Sequence, residues 1–353
     1  MTRSPANPSG RPRRPSRPGR RAGAWLMALA LAWAVPAPAP LRAQTAAEAN
    51  APSERVLRVG DGRLRTIVEN PPSRARADEL QAWLAECARA QLTAFGRFPL
   101  REATVRVRLV PRRGRDPSPV PWGQTLREDG VSVLLYVRED ARGDELRADW
   151  TAVHEFSHLF HPYLGDQGRW LAEGLASYYQ NVLRARAGLL DGEEAWRKLD
   201  GGFRRGRGTA AGARMDEVGW QRGSTMRIYW AGAAFWLDAD LSLRRERGRG
   251  LDQVLAAYAR CCLREDSQST PEAFIAALDR AGGGGTFARL YRRHAAMTEF
   301  PSLDADYAEL GIETQGAQLR FSPDPQKARL RAAIMGPRAA VAMGSAAVVG
   351  DGG

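Results

Sequence analysis

The stretch Thr151-Ala-Val-His154-Glu155-Phe-Ser-His158-Leu-Phe160 decides how this chain is read. On a helix, residues four apart stand one turn apart on the same face. His154 and His158 can therefore point both imidazoles at a single ion, while Glu155 is angled beside them to reach a water. Zinc suits two imidazoles and one carboxylate with an open fourth position. The intervening Val153, Phe156, Leu159 and Phe160 are apolar, as expected of a helix buried in its domain with a polar triplet facing a cleft. The chain has four histidines, and three of them fall at 154, 158 and 161.

Working outward, the next informative segment is Arg169-Trp-Leu-Ala-Glu173-Gly-Leu-Ala-Ser-Tyr-Tyr-Gln180. With the histidine motif it resembles the gluzincin peptidases (peptidase MA-like), especially the aminopeptidase N and glycyl aminopeptidase groups. In those families a second helix carries a zinc-binding glutamate in a Trp-Leu-x-Glu-Gly-x-Ala/Thr-x-Tyr context, which residues 170–179 match. The resemblance implies Glu173 as the third ligand beside His154 and His158, Zn2+ as cofactor, and a thermolysin-like zincin catalytic domain. The implied activity is zinc-dependent hydrolysis of peptide bonds in a peptide or protein substrate, with Glu155 as general base on a metal-activated water. Met226-Arg-Ile-Tyr229-Trp-Ala-Gly232 adds a further match, because the same families place a tyrosine three residues before a glycine at the head of a long apolar helix. There it donates a hydrogen bond to the tetrahedral intermediate, and Tyr229 is the residue that fits. The alternative is that Tyr229 simply packs with Tyr178 and Trp236. Asp238 matches a pattern of the glycyl aminopeptidase group without an assigned chemistry.

The resemblance spans roughly residues 100–290. A metzincin pattern would require a histidine where Leu164 stands, and His161 has no role in either pattern. The short separation from His158 to Glu173 predicts a short connection between the two helices. Two family features are missing. No Gly-x-Met-Glu-Asn segment precedes the histidine helix, where aminopeptidase N relatives bind a free amino terminus; Gly130-Val-Ser-Val-Leu-Leu-Tyr136 occupies that region, with Glu128 or Asp129 as substitutes. Nor does a PDZ-like module follow. Endopeptidase and aminopeptidase action therefore both remain open.

The fold class expected is α+β: a small N-terminal mixed sheet followed by a mainly helical part. Val56–Val59 and Leu64–Val68 suggest a hairpin around Asp61-Gly62, and Asp78–Phe95 has helical spacing. Thr104–Val110 alternates as a strand, Pro111–Pro121 reads as a loop, and Gly130–Val137 returns to strand. Helices are expected at about 146–160, 169–187, 223–245, 251–262, 271–281 and 286–296. Thr270-Pro271 marks one start, and the glycines before Thr286 mark another. The domain is taken as 56–312. Residues 44–55 are expected as a linker and 313–353 as a C-terminal extension whose last twenty residues form a floppy tail.

The first 43 residues contain eight arginines and no acid, followed by a short apolar run, the order of a cleaved secretory signal peptide. They predict an exported, periplasmic or extracellular protein with no stable membrane span in its mature form; the alternative is anchoring through that apolar run. Subtracting those eight charges from the formal +12 leaves +4. The remaining arginines are interleaved with acids, so no nucleic-acid footprint is present. Three cysteines, Cys87, Cys261 and Cys262, allow at most one intramolecular disulfide, and helical spacing makes Cys87 a buried small hydrophobe. The competing functional class is a noncatalytic zinc-containing binding or scaffold protein of the envelope.

Overall fold

A computed structural model describes residues 51–347 apart from 115, 116, 129, 210, 211, 220–222 and 317. The expected signal peptide, the candidate Asp129 and the last six residues lie outside these. The chain opens with β1 (Ser53–Val59) and β2 (Gly62–Glu69), the expected hairpin, with β1 starting inside the stretch read as linker. Helix α1 (Arg74–Phe95) follows, capped by the Ser73 hydroxyl and closed at Gly96 in the left-handed region. Next come β3 (Glu102–Val110), β4 (Trp122–Leu126) and β5 (Ser132–Arg138). The sheet is mixed: β3 runs parallel to both β2 and β5, and β4 pairs antiparallel with β5 at one end. Val105, Val107, Val133, Leu135 and Val137 are buried on its inner face, where the alternating pattern places them.

The remainder is mainly helical, as expected. Helix α2 (Gly143–Ala148) is separate from the histidine helix α3 (Thr151–Ser157), which ends in a 3-10 turn at His158–Phe160. A continuous helix over 146–160 does not form, because Asp149 is extended and its carboxylate accepts the Thr151 amide at 2.7 Å, competing with a helical bond. Then follow α4 (Arg169–Arg186), α5 (Gly192–Arg207), α6 (Thr225–Arg247), α7 (Leu251–Cys261), α8 (Pro271–Leu278) and α9 (Thr286–Ala295). Helix α6 is buried on nearly every side, consistent with its all-round apolar sequence. Cys261 and Cys262 are bonded to each other, and Cys87 is free and buried as expected.

The segment after Ile312 differs from expectation. After α10 (Asp304–Leu310), β6 (Ile312–Gln315) and β7 (Gln318–Phe321) form a hairpin, α11 (Pro325–Met335) follows, and β8 (Gly344–Ala347) pairs with β1 at the far edge of the sheet. Up to Ala347 the expected tail therefore carries structure. Its anchor is ionic: Arg338 and buried Arg186 both pair with the Asp252 carboxylate, and Arg338 also donates to the Thr93 carbonyl. A composition-based reading misses this because the anchoring partners lie far away in sequence. Among the described residues, no helix is long and apolar enough to cross a membrane.

Asp306 on α10 provides a test of these packing electrostatics. Burial, with the negative charges of Asp238 and Glu309, pushes its carboxyl up to about 7. An acid raised in the folded state contributes stability at low pH that is lost as pH rises through the folded value. We expect Asp306→Asn to match the parent near pH 4 and to exceed it by up to about 4 kcal/mol at pH 8, since the carboxyl is displaced from 3.8 to about 7 and each unit corresponds to about 1.4 kcal/mol. Urea denaturation at the two pH values measures this. A constant difference across the range would contradict it.

Candidate metal centre

The site forms where α3 meets α4 under the free edge of β4. The His154 and His158 rings lie one turn apart with centroids 5.1 Å from each other. Glu173, in the first turns of α4, sends its Oε2 to 3.2 Å from His154 Nε2 and 3.7 Å from His158 Nε2. The three expected ligand residues are thus together, with one donor atom from each within 4.8 Å of the others, as a single cation requires. The short connection expected between the two helices is the stretch 161–168.

Each imidazole is held by its other nitrogen. His154 Nδ1 lies 2.9 Å from Gln180 Oε1, and His158 Nδ1 lies 3.0 Å from His161 Nε2. His161 Nδ1 is 2.7 Å from the Pro162 carbonyl, which can only accept, so this nitrogen carries the proton. Burial and the Arg127 charge hold His161 down to about 3, leaving its Nε2 as a bare acceptor. His158 must then donate from Nδ1 and present a bare Nε2 toward Glu173. The Gln180 contact does the same for His154. Three acceptors therefore converge on one point, which only a proton or a cation between them can stabilise.

The two carboxylates are shifted in opposite directions. Burial would push Glu173 up, but His158, His154 and the Tyr229 hydroxyl outweigh it and hold the group at about 2. Burial pushes Glu155 up to about 7. Its Oε2 accepts from the Thr125 hydroxyl at 3.0 Å. Tyr229 stacks on His154 at 5.6 Å with an interplanar angle of 6°, its hydroxyl reaches Glu173, and it also packs against the buried core. Burial and the charges of Glu173 and Glu155 push the phenol up, so it remains a donor. Asp238 lies away from the site, in a buried contact with His294.

Two close approaches at glycines set this geometry. A Cβ on Gly174 would lie 2.3 Å from the Gly232 carbonyl carbon, and one on Gly232 would lie 2.0 Å from the Trp170 carbonyl oxygen. Helices α4 and α6 thus touch backbone to backbone, one residue from Glu173 and three from Tyr229. On β4, a Cβ at Gly123 would lie 2.6 Å from Glu155 Cγ. The strand flanking Glu155 is therefore β4. His161, left by the sequence as a residue beside or at the rim of the site, stands behind His158; sequence reasoning missed Thr125, Gln180 and Arg127, which donates at 2.7 Å to the carbonyls of both His158 and His161. Gln180, two turns after Glu173 on one helix face, was the most readable of these. The surrounding cleft has a volume of about 1060 Å3, and the acids lining it are Glu128, Glu155 and Glu173.

Two outcomes follow. Gly232→Ala should destabilise the fold by about 3 kcal/mol or more, because the clash is with backbone and cannot be relieved by a rotamer change; thermal denaturation measures it. His161→Leu should weaken zinc affinity roughly 10- to 100-fold, whereas His161→Gln, which restores an acceptor near the Nε2 position, should recover most of it. Competition with a chromophoric chelator gives both values, and equal affinities in the two variants would refute the relay.

Residues 160–218 match the sequence profile of M61 glycyl aminopeptidase. A comparison with curated proteins finds no match. Among solved structures, an aminopeptidase N family protein from Idiomarina loihiensis aligns with a TM-score of 0.56 and 16% identity, over 75% of this chain and 50% of its own. An M1 zinc metallopeptidase from Deinococcus radiodurans aligns with a TM-score of 0.44 and 18% identity, over 72% of this chain and 54% of its own. This chain spans about half the length of these neighbours. The paired motifs, the profile match and the fold shared with the Idiomarina protein together make the chain similar to the gluzincin zinc metallopeptidases.

Proposed function

We propose that this protein is a zinc-dependent peptidase of thermolysin-like zincin architecture, with His154, His158 and Glu173 as the zinc ligands. The observation that carries the reading is the convergence of three acceptor atoms, two of them imidazole nitrogens fixed in the ligating tautomer by Gln180 and His161. Two nitrogens and one carboxylate oxygen form a zinc donor set, and tetrahedral coordination leaves one position open. Zinc held there would polarise a peptide carbonyl and lower the pKa of water.

The chain's own residues supply the rest. Glu155, buried and held at one oxygen by Thr125, takes the proton of the attacking water and returns it to the leaving amine. Tyr229, still protonated, donates its hydroxyl to the developing oxyanion. Of the acids lining the cleft, Glu155 and Glu173 are used in this way and Glu128 is exposed. Among the described residues lining the cleft, no buried carboxylate is left to pair with a free α-amine, whose desolvation is costly without a partner. We therefore read the activity as cleavage within chains, without need of an unblocked amino terminus. The resemblance of the first 43 residues to a secretory signal makes export part of the same proposal.

The test uses N-acetylated peptides, with products read by mass spectrometry and zinc by elemental analysis. Parent protein should bind one zinc and cut internally. Glu155→Gln should keep the metal and lose about 10²-fold or more in rate, within the usual contribution of a general base. Glu173→Ala should lose metal affinity. Tyr229→Phe should keep the metal and slow turnover about 10²-fold. Removal of single residues only from unblocked peptides would overturn internal cleavage, and zinc-loaded protein that cuts nothing would favour a noncatalytic role.

A further inference from the structure

Among the described residues, the exposed large apolar side chains are Trp122, Trp150 and Tyr163, at 59%, 44% and 50% exposure. All three line the cleft around the candidate metal centre. Scattered exposed hydrophobes are ordinary on a protein surface, but their concentration at one mouth marks a binding surface.

Strand β4 gives that surface a direction. It ends the sheet and pairs only with β5, so its outer edge turns unpaired backbone groups toward the cleft. Its side chains divide between two faces. Gly123 and Thr125 point at Glu155, while Trp122, Gln124 and Leu126 share the opposite face with their partners Tyr136, Leu134 and Ser132. A polypeptide laid along this edge sends alternate side chains to the same two faces. On the Trp122 face lies a second cavity of about 510 Å3, walled by Trp122, Tyr136, Val110 and Pro111. It adjoins the metal cleft, with Ser118, Pro121 and Trp122 lining both. The Arg138 guanidinium at this cavity is already paired with Asp140 and Glu145 and does not call for an acidic ligand, while Arg113 stands exposed at its rim.

We propose that this second cavity is a substrate subsite for a bulky apolar side chain, aromatic or branched aliphatic. It lies one residue out of step with the side chains that face Glu155. The substrate class is then an extended, unfolded polypeptide carrying a large apolar residue within two positions of the cleaved bond. This rests on the peptidase reading and adds the selectivity.

The deciding measurement is binding by zinc-loaded Glu155→Gln protein. Fluorescently labelled, end-blocked peptides carry Ala, Leu, Phe or Asp at each position in turn, and anisotropy gives Kd. One position should prefer Phe or Leu over Ala by about 10-fold or more, in keeping with burial of one large apolar side chain. Adding Trp122→Ala should abolish that preference, and Trp122→Phe should retain it. Equal affinity across the series, a preference for Asp, absence of binding, or a preference that survives Trp122→Ala would overturn the subsite. Cleavage by the parent protein is read separately: if it cuts nothing while the preference holds in binding, the peptidase reading fails and the subsite stands.

Discussion

The contact on which the site depends is the meeting of two helix backbones at Gly174 and Gly232. Side chains normally keep helix axes 8–10 Å apart. Here neither helix has a Cβ at the crossing, so the backbones themselves pack. The consequence for the site is local. Glu173 precedes one glycine and Tyr229 stands one turn before the other, so the crossing brings a carboxylate from α4 and a phenol from α6 onto the same imidazole. Packing that must be this close leaves little freedom to slide, and the positions of both groups follow from it.

The same burial acts oppositely on the two glutamates. Glu173 faces two imidazoles and a phenol, which together overcome its desolvation, so it stays ionised. Glu155 is desolvated with a hydroxyl as its hydrogen-bond partner, and its pKa is raised. Two carboxylates within one cleft are thereby shifted in opposite directions by their neighbours alone, and the roles proposed for them, ligand for Glu173 and proton acceptor for Glu155, draw on that difference. His161 adds a fixed tautomer to this arrangement, because a backbone carbonyl at one ring nitrogen dictates the state of the other, and through it the state of His158.

The cluster of His154, His158 and Glu173 was legible in the sequence because it is written locally: the two histidines are one helical turn apart, and Glu173 sits in a dense motif. The groups that orient them were not. Thr125 comes from an edge strand, and Arg127 from just past its end; the strand has a glycine at its second position and prolines before it, and five residues of weak alternation give little strand signal. Helix α5 was not among the expected helices; Gly201, Gly202 and Gly206 are poor helix formers, yet a Cβ on Gly202 would lie 2.2 Å from the Trp230 ring. Its glycines serve packing, and the Asp191 cap with buried Trp196, Leu199 and Phe203 was the signal to follow. The β8 pairing and the Arg186–Asp252–Arg338 anchor depend on partners that no local pattern names.

Strand β4 links binding to chemistry in a way neither element achieves alone. Thr125 holds the Glu155 carboxylate, and Arg127, just past the strand end, holds the carbonyls that close the histidine helix. A cation at a helix C-terminus is favourable in itself, and here it also ties the strand to the turn carrying His158. Gly123 lets the strand lie against Glu155 with no side chain between them. The free edge that can accept a polypeptide is thus fastened at two points to the groups that would act on it. On the proposed binding mode, the register of a chain along β4 would set the position of its backbone relative to Glu155 and to His154, His158 and Glu173.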